Sequence, residues 1–265
     1  MVKFIRAAAA FSLVAAASPA LAETRDYCPA RPGLGSPTCT IEPGAVSVEV
    51  GVAGWTRDKS DGVRSDSYDL GDTQVRIGIS DTVEAVFGWQ LYGETTIRSA
   101  GVRTTASGIG DAMVGAKLNL RNPDCSGFSA AIQPFVTLPV GGKDVSAGDW
   151  GAGLVIPVSY DLADGVSLQY THEFDAAVNE SGKGRHFATS GTIGLGHDLS
   201  DSVGATAELQ LAHDDDPAGK STQLLGGLSL GWTPSDNTQL DIGTNIGLNK
   251  AAPDFALYGG ISRRF

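Results

Sequence analysis

His172 is the first residue that could take part in catalysis. It lies in the run Tyr170-Thr171-His172-Glu173-Phe174-Asp175. Acyl transfer would need a serine nucleophile beside such a histidine, and Phe174 occupies the position two residues later where one would lie. We therefore predict no catalytic residue here and interpret His172 as a histidine near a strand end. A lipid-modifying enzyme is kept as a third alternative.

A second candidate is the acidic run His213-Asp214-Asp215-Asp216. Adjacent carboxylates can bind a divalent cation, including one that bridges lipopolysaccharide phosphates. The spacing, however, matches no loop that fixes metal geometry, and the four histidines show no ligand spacing either. We predict a solvated acidic loop, no metal site and no cofactor.

A larger group of charged residues lies within alternating apolar segments. Alternation places every second side chain on the same face of a strand, so these charges share a polar face. The candidate interior residues are Glu49, Arg76, Glu84, Asp111, Lys117, Glu173, Glu208 and Asp241. Unpaired charges are costly to bury, so they need water, one another, or both. This favours either a wet lumen that prefers cations or neutral polar solutes, or a charge network that plugs a narrow barrel.

The elements that position these residues are predicted β-strands. Val203, Ala205, Ala207, Leu209 and Leu211, for example, alternate with small or polar residues. Such two-faced strands need an apolar medium on one side and a polar one on the other. Twelve candidate strands lie near 45–56, 69–80, 82–93, 109–120, 127–139, 149–160, 165–175, 186–199, 202–213, 222–233, 238–248 and 254–265.

The connections between these strands fall into two alternating classes. Short turns are predicted near 80–82, 121–126, 161–164, 199–201 and 234–237, and longer polar loops near 57–68, 94–108, 140–148, 176–185 and 214–221. Outer-membrane barrels have short periplasmic turns and longer outer loops. We therefore predict an all-β fold over 45–265, a transmembrane antiparallel up-and-down β-barrel of about 12 strands with both termini periplasmic. A soluble periplasmic β-sandwich is the rival fold.

The two ends of the chain support export. Residues 1–22 resemble a signal peptide, because Lys3 and Arg6 precede a short apolar run and small residues stand at the expected cleavage position. The chain ends on Phe265, which resembles the terminal assembly signal of outer-membrane barrels. Barrel-assembly machinery is therefore an expected partner, together with outer-membrane lipid and lipopolysaccharide. The predicted location is the cell outer membrane.

Composition excludes one class of partner and favours an oxidising compartment. Without Lys3 and Arg6, 17 of the 19 basic residues remain against 30 acidic ones, a formal net charge of −13, and no basic cluster suggests nucleic-acid binding. Cys28 and Cys39 bracket a Pro- and Gly-rich stretch. We predict a disulfide between them within a periplasmic segment over 23–44; pairing of Cys125 with either cysteine stays open.

Two stretches carry a family resemblance. Gly108-Ile109-Gly110-Asp111, followed by an alternating strand, is one; Gln133 to Gly141, leading to Trp150-Gly151-Ala152-Gly153, is the other. Both are similar to the family named "MetA-pathway of phenol degradation". The resemblance spans about 45–265 and implies an outer-membrane transporter for small, aromatic or hydrophobic compounds.

The sequence thus predicts a non-enzymatic outer-membrane pore through which small-molecule solutes pass without an energy source. A closed structural or adhesive barrel that binds partners through its outer loops is the alternative.

Overall fold

A computed structural model describes residues 25–265 of the protein. The expected signal peptide, residues 1–22, lies outside the described residues. Within 25–265, no helix is long and apolar enough to cross a bilayer. The described chain consists of β-strands, the connections between them, and an N-terminal stretch without regular structure.

Thirteen strands follow one another along the chain. They are β1 Val46–Ser60, β2 Val63–Ser80, β3 Val83–Ser99, β4 Val102–Gly108, β5 Ala112–Arg121, β6 Phe128–Leu138, β7 Gly151–Ala163, β8 Val166–Val178, β9 Arg185–Ser200, β10 Val203–Asp214, β11 Ser221–Ser235, β12 Thr238–Gly247 and β13 Phe255–Arg264.

These strands form one closed antiparallel barrel with twelve strand positions. β1 pairs with β2 on one side and with β13 on the other, which closes the sheet. β4 and β5 share a single position: β4 pairs with Gly93–Ser99 of β3, and β5 pairs with Val83–Trp89 of the same strand. The predicted all-β, 12-stranded antiparallel barrel is therefore confirmed.

The barrel is apolar outside and polar inside. Ile79, Leu120, Leu228 and Ile242 are large apolar side chains on the outer surface, and all are exposed. The polar side chains of the same strands point inward and are buried. This arrangement follows from the alternation in the sequence, because successive side chains of a strand point to opposite faces.

The two ends of the barrel differ, and we name them the short-turn end and the long-loop end. The short-turn end carries both termini of the barrel and turns such as Asp81-Thr82 and Ser202. The long-loop end carries the connections at 139–150, 179–184, 215–220 and 248–254.

Two long loops predicted from the sequence are wrong. The residues near 57–68 and 94–108 instead extend β1, β2, β3 and β4 into paired hairpins beyond the rest of the barrel. Each hairpin closes with a two-residue turn at positive φ, Asp61-Gly62 and Ala100-Gly101. Both faces of these extensions are rich in polar residues, so the apolar alternation that marks the other strands is missing there.

The N-terminal residues 25–42, which we call the lumen segment, lie inside the short-turn end. The chain then passes Gly78 so closely that an added Cβ there would lie 1.9 Å from the carbonyl oxygen of Glu42. The segment expected to lie in the periplasm over 23–44 is thus placed within the barrel for its described part. Its backbone N–H and C=O groups form hydrogen bonds to charged side chains that point into the barrel.

Candidate channel interior

Arg76 is the centre of the interior charge network. Its Nε and Nη2 donate to the Glu84 carboxylate at 2.8 and 2.9 Å, and its Nη1 donates to Glu49 at 3.2 Å. The same guanidinium donates to the carbonyls of Cys28 and Cys39 at 2.7 and 3.2 Å. All three charged side chains are fully buried. One arginine on β2 therefore joins two barrel strands and the lumen segment.

The carboxylates beside Arg76 also bind backbone amides of the lumen segment. Glu49 accepts from the N–H groups of Ala30 and Arg31 at 2.8 and 3.1 Å, and Glu84 accepts from Ile41 at 3.0 Å. Several such donors replace the hydrogen bonds to water that a carboxylate loses on burial. These bonds also satisfy amides that a segment without regular structure would otherwise leave unpaired.

On the opposite wall, Glu208 holds the tip of the lumen segment. Its carboxylate accepts from the N–H groups of Leu34 and Gly35 at 2.7 and 2.9 Å. The neighbouring Thr171 accepts from the Ser36 amide at 2.9 Å. β8 and β10 therefore anchor the part of the segment that reaches farthest across the lumen.

Arg31 gives the segment a salt bridge to a third wall. Its Nη2 lies 3.0 Å from Asp241 of β12, and its guanidinium lies 5.9 Å from the ring of Tyr258. Gln239 donates to the Arg31 carbonyl at 2.7 Å.

Lys117 and Asn119 of β5 complete the set of contacts. Lys117 Nζ donates to the Pro37 carbonyl at 2.9 Å and lies 3.6 Å from Glu84. Asn119 donates to the Thr38 carbonyl at 2.8 Å. Six of the eight interior candidates, namely Glu49, Arg76, Glu84, Lys117, Glu208 and Asp241, thus lie in one network around the lumen segment.

Asp111 and Glu173 lie apart from that network. Asp111 stands at the long-loop end, where its carboxylate accepts from Gly141 and Ala147 at 3.0 and 2.8 Å and so fixes the connection between β6 and β7. Glu173 is half-buried, and its side chain makes no hydrogen bond to the lumen segment within residues 25–265. It shares the inward face of β8 with Asp175.

The three cysteines meet at the short-turn end. Cys28 and Cys39 are joined by a disulfide with their Cα atoms 6.5 Å apart. Cys125 is a free thiol in the turn between β5 and β6, with its Sγ 3.9 Å from that of Cys28 and 3.0 Å from the Thr38 hydroxyl. Burial raises the pKa of the Cys125 thiol, which keeps it protonated.

A cavity of about 1000 Å³ runs beside the lumen segment at the short-turn end. It is bounded on one side by the segment and on the other by β8 to β12, with Glu208, Gln169 and Gln239 among its lining residues. The lumen segment therefore occupies one side of the lumen and leaves a polar space along the other.

Side chains of the two motifs considered for catalysis and metal binding contact other polar side chains of the protein. Both ring nitrogens of His172 are hydrogen-bonded, to the hydroxyls of Tyr170 at 2.8 Å and Thr189 at 3.1 Å. In the acidic run, Asp214 and Asp216 flank His186 at 3.1 and 3.3 Å. Backbone N–H groups of Ala218 and Glu180 lower the pKa of Asp216. The contacts of Asp214 and Asp216 hold the connections at 179–184 and 215–220 to each other.

Sequence reasoning missed the neutral members of the network and the role of Arg31. Asn119, Thr171 and Gln239 follow the same alternation as the charged candidates, so their inward position was readable from the strand pattern. Arg31 had no such signal, because it lies in a Pro- and Gly-rich stretch without periodicity.

Solved structures of similar fold are outer-membrane barrels. The COG4313 outer membrane channel from Pseudomonas putida F1 matches with a TM-score of 0.67 at 12% identity, covering 89% of this chain and 99% of that one. The translocator domain of the autotransporter NalP from Neisseria meningitidis matches with a TM-score of 0.50 at 14% identity, covering 84% and 88%. At these identities the likeness concerns the fold. A search of curated protein sequences found no match.

A family model matches nearly all of the described chain. Its description is "Putative MetA-pathway of phenol degradation", and the match covers residues 30–265, so it includes most of the lumen segment as well as the barrel. The resemblance expected from Gly108–Asp111 and from Gln133–Gly141 is thereby confirmed. This chain belongs to the MetA-pathway of phenol degradation family.

Proposed function

We propose that the protein is a channel of the outer membrane through which small solutes pass passively. The observation that carries this proposal is a closed barrel with an apolar exterior and a charged, polar interior. Such a barrel is stable only where lipid surrounds it and water or polar groups fill it. Short turns and both termini on one side support an orientation with that side in the periplasm.

The lumen segment determines the width of the proposed path. It fills one side of the short-turn end, and the polar cavity beside it provides the remaining route. Asp241 and Glu208 hold the segment through Arg31, Leu34 and Gly35. We therefore propose that solute flow depends on how tightly these two carboxylates retain the segment.

The proposed solutes are small molecules, including aromatic or hydrophobic compounds. Support comes from the family, whose description refers to phenol degradation, and from Tyr258, whose ring lies beside Arg31 in the interior. Toward the long-loop end, Asp69, Asp72, Glu173 and Asp175 line the interior and favour cations over anions. The proposed transport needs no cofactor and no covalent step.

One observation favours the alternative of a closed structural or adhesive barrel. The lumen segment forms hydrogen bonds to nine different strands, so it is fixed at many points. If the segment never moves and the cavity beside it does not connect both ends, the barrel conducts nothing. The partners would then bind at the outer loops.

Single-channel recording in planar bilayers separates the two functions. We expect the wild-type protein to conduct and the double variant Glu208→Ala/Asp241→Ala to conduct more, because it removes four bonds to the segment. The matched control is Asp164→Asn, in an exposed turn of the same end. Silence of both the wild type and the double variant, with correct heat-modifiable migration on gels, would favour the closed barrel.

The C-terminal strand has a proposed partner of its own. Phe265 ends the chain and exchanges backbone hydrogen bonds with Val46 at 2.8 and 3.2 Å, which places it at the barrel seam. We propose that barrel-assembly machinery recognises this terminal strand. Deleting Phe265 should reduce the amount of folded barrel in the outer-membrane fraction.

A further inference from the structure

The hairpin extensions at the long-loop end carry a group of cations around one carboxylate. Asp66 of β2 is buried beneath Arg57, Arg64 and Arg98, whose nitrogens lie 2.9, 2.8 and 2.6 Å from its oxygens. We call these four residues the arginine cluster. Its three guanidinium groups come from three adjacent strands and converge on one side chain.

The cluster lies on the outward face of the barrel. Arg57 and Asp66 are register partners, and so are Arg64 and Arg98, and partners in register share a face of the sheet. Two residues along the same strands, Trp55 and Tyr68 are partners on that face. Tyr68 is 42% exposed on the outer surface. Because alternate residues of a strand share a face, the arginines point to the outside of the barrel, as these aromatic residues do.

Aromatic side chains mark the membrane level just below the cluster. Trp55 and Tyr68 stack with ring centroids 6.5 Å apart, and Trp55 meets Phe255 edge-on at 4.8 Å. Arg57 lies 4.6 Å from the Trp55 ring. Tryptophan and tyrosine concentrate where hydrocarbon meets headgroups. Arg57 lies two residues beyond Trp55, and Arg64 lies four residues beyond Tyr68 with Arg98 as its partner, which puts the arginines toward the headgroups.

The cluster has more positive charge than its own carboxylate can neutralise. Lys59 and Arg103 are register partners of Arg64 and Arg98, so two further cations adjoin it. Against these five cations the same face carries Asp66 and Glu94. The excess is unusual for a chain with a formal net charge of −11.

The arginines also keep free hydrogen-bond donors that face outward. The side chains of Arg64 and Arg98 are 39% and 42% exposed. Arg98 uses only Nη1 on Asp66, and Arg57 uses only Nε. A guanidinium presents five N–H donors in a fork that fits phosphate, so several donors remain for an external ligand.

We propose that the arginine cluster is a binding site for the phosphate groups of a phosphorylated glycolipid in the outer leaflet. Asp66 holds the three guanidinium groups in one orientation, and Arg64 and Arg98 donate to the phosphate. The acyl chains of the lipid pack against Trp55, Tyr68 and Phe255 below. This site rests on the proposed orientation of the barrel in the outer membrane, but it does not depend on whether the lumen conducts.

The test is lipid binding to the full barrel in detergent, measured by native mass spectrometry. The probes are bisphosphorylated lipid A, dephosphorylated lipid A and inorganic phosphate. The test variant is Arg64→Gln/Arg98→Gln. The matched control is Arg121→Gln/Arg263→Gln, which removes two exposed arginines near Phe128 and Phe265 at the opposite end of the barrel.

We expect the wild type and the control to bind bisphosphorylated lipid A equally. The test variant should bind it about tenfold or more weakly, because it loses the charge-assisted bonds of both guanidinium groups to the phosphate. Arg64→Lys/Arg98→Lys, which keeps the charge but loses the fork, should fall between them. Equal binding by the test variant, equal binding of the dephosphorylated lipid, or a preference for inorganic phosphate over the lipid would each overturn the proposal. Channel conductance, measured on the same samples, reports separately on the proposed function.

Discussion

The two halves of the barrel interior use charged residues differently. At the short-turn end, Glu49, Arg76 and Glu84 are fully buried and bonded to one another and to the lumen segment. Toward the long-loop end, Asp69, Asp72, Glu173 and Asp175 are at most partly buried and form no salt bridge among residues 25–265. One half is fixed by paired charges, and the other keeps unpaired acidic groups facing the lumen.

An inward charge therefore does not by itself indicate a conducting lumen. Where the lumen segment enters, backbone amides and arginines bind the carboxylates. These carboxylates therefore hold the segment in place and do not bind solute. Toward the long-loop end, carboxylates of the same type pair with no cation among residues 25–265; Asp69, for example, accepts from the side-chain amide of Gln90.

The largest expected effect comes from Arg76→Gln at the short-turn end. It removes the only cation that bridges Glu49 and Glu84 in the described chain and leaves two buried carboxylates short of a partner. Breaking a buried ion pair from one side costs about 3–5 kcal/mol. We expect the free energy of unfolding in detergent to fall by that amount, measured by tryptophan fluorescence in urea.

Arg98→Gln is the matched control, because it also removes an arginine from a carboxylate, but the Arg98 side chain is 42% exposed and Asp66 keeps Arg57 and Arg64. Exposed pairs contribute about 0–1 kcal/mol. A loss of similar size in both variants would contradict the distinction between the fixed network and the surface cluster.

The next effect concerns the disulfide within the lumen segment. Cys28 and Cys39 are 11 residues apart, and closing a loop of this size stabilises the folded segment by about 2–3 kcal/mol. Cys28→Ser/Cys39→Ser should therefore loosen the segment and raise single-channel conductance. Cys125→Ser, which keeps the disulfide, is the control and should leave conductance unchanged; an equal rise in both would contradict the prediction.

A smaller, local effect is expected at the long-loop end from Asp111→Ala. Two N–H groups, of Gly141 and Ala147, lose their acceptor. At about 1 kcal/mol for each bond, the connection between β6 and β7 should open more often. Hydrogen exchange at these two amides reports this directly. Asp144→Ala, whose side chain pairs only with the adjacent exposed Lys143, should leave their protection unchanged.

The smallest effect on stability, with a clear effect on function, is expected from Glu173→Gln/Asp175→Asn. Within residues 25–265, these side chains form no hydrogen bond or salt bridge to the network or the lumen segment, so folding should be unaffected. The reversal potential in a salt gradient should move toward zero, because two carboxylates leave the path of the ions. Asp124→Asn/Asp164→Asn removes the same charge from exposed turns and should preserve the selectivity. Equal shifts in both variants would assign selectivity to the overall charge.

The strand pattern predicted most of the barrel because lipid on one side and polar groups on the other impose alternation on every membrane-spanning strand. It failed at the hairpin extensions, where residues such as Arg57 and Asp66 lie beyond the hydrocarbon and no apolar face is required. The twelve positions could be counted from the sequence, but the division of one position between β4 and β5 depends on pairing with the two parts of β3.

The interior was only partly predictable for a related reason. Alternation identifies inward residues such as Glu208, but it does not tell what fills the space opposite them. The lumen segment has no periodicity, and its position follows from backbone amides that satisfy buried carboxylates across the barrel. Contacts between residues as distant as Arg31 and Asp241 leave no local signal.

Residues 25–42 lie inside the short-turn end, where we propose that they narrow the path of solutes. The most direct test is the single-channel conductance of a protein that lacks residues 25–43, compared with the wild type, after both have been shown to migrate as folded barrels. We predict a several-fold higher conductance for the deletion, because the space that the segment fills becomes water. An unchanged conductance in a correctly folded barrel would contradict the claim.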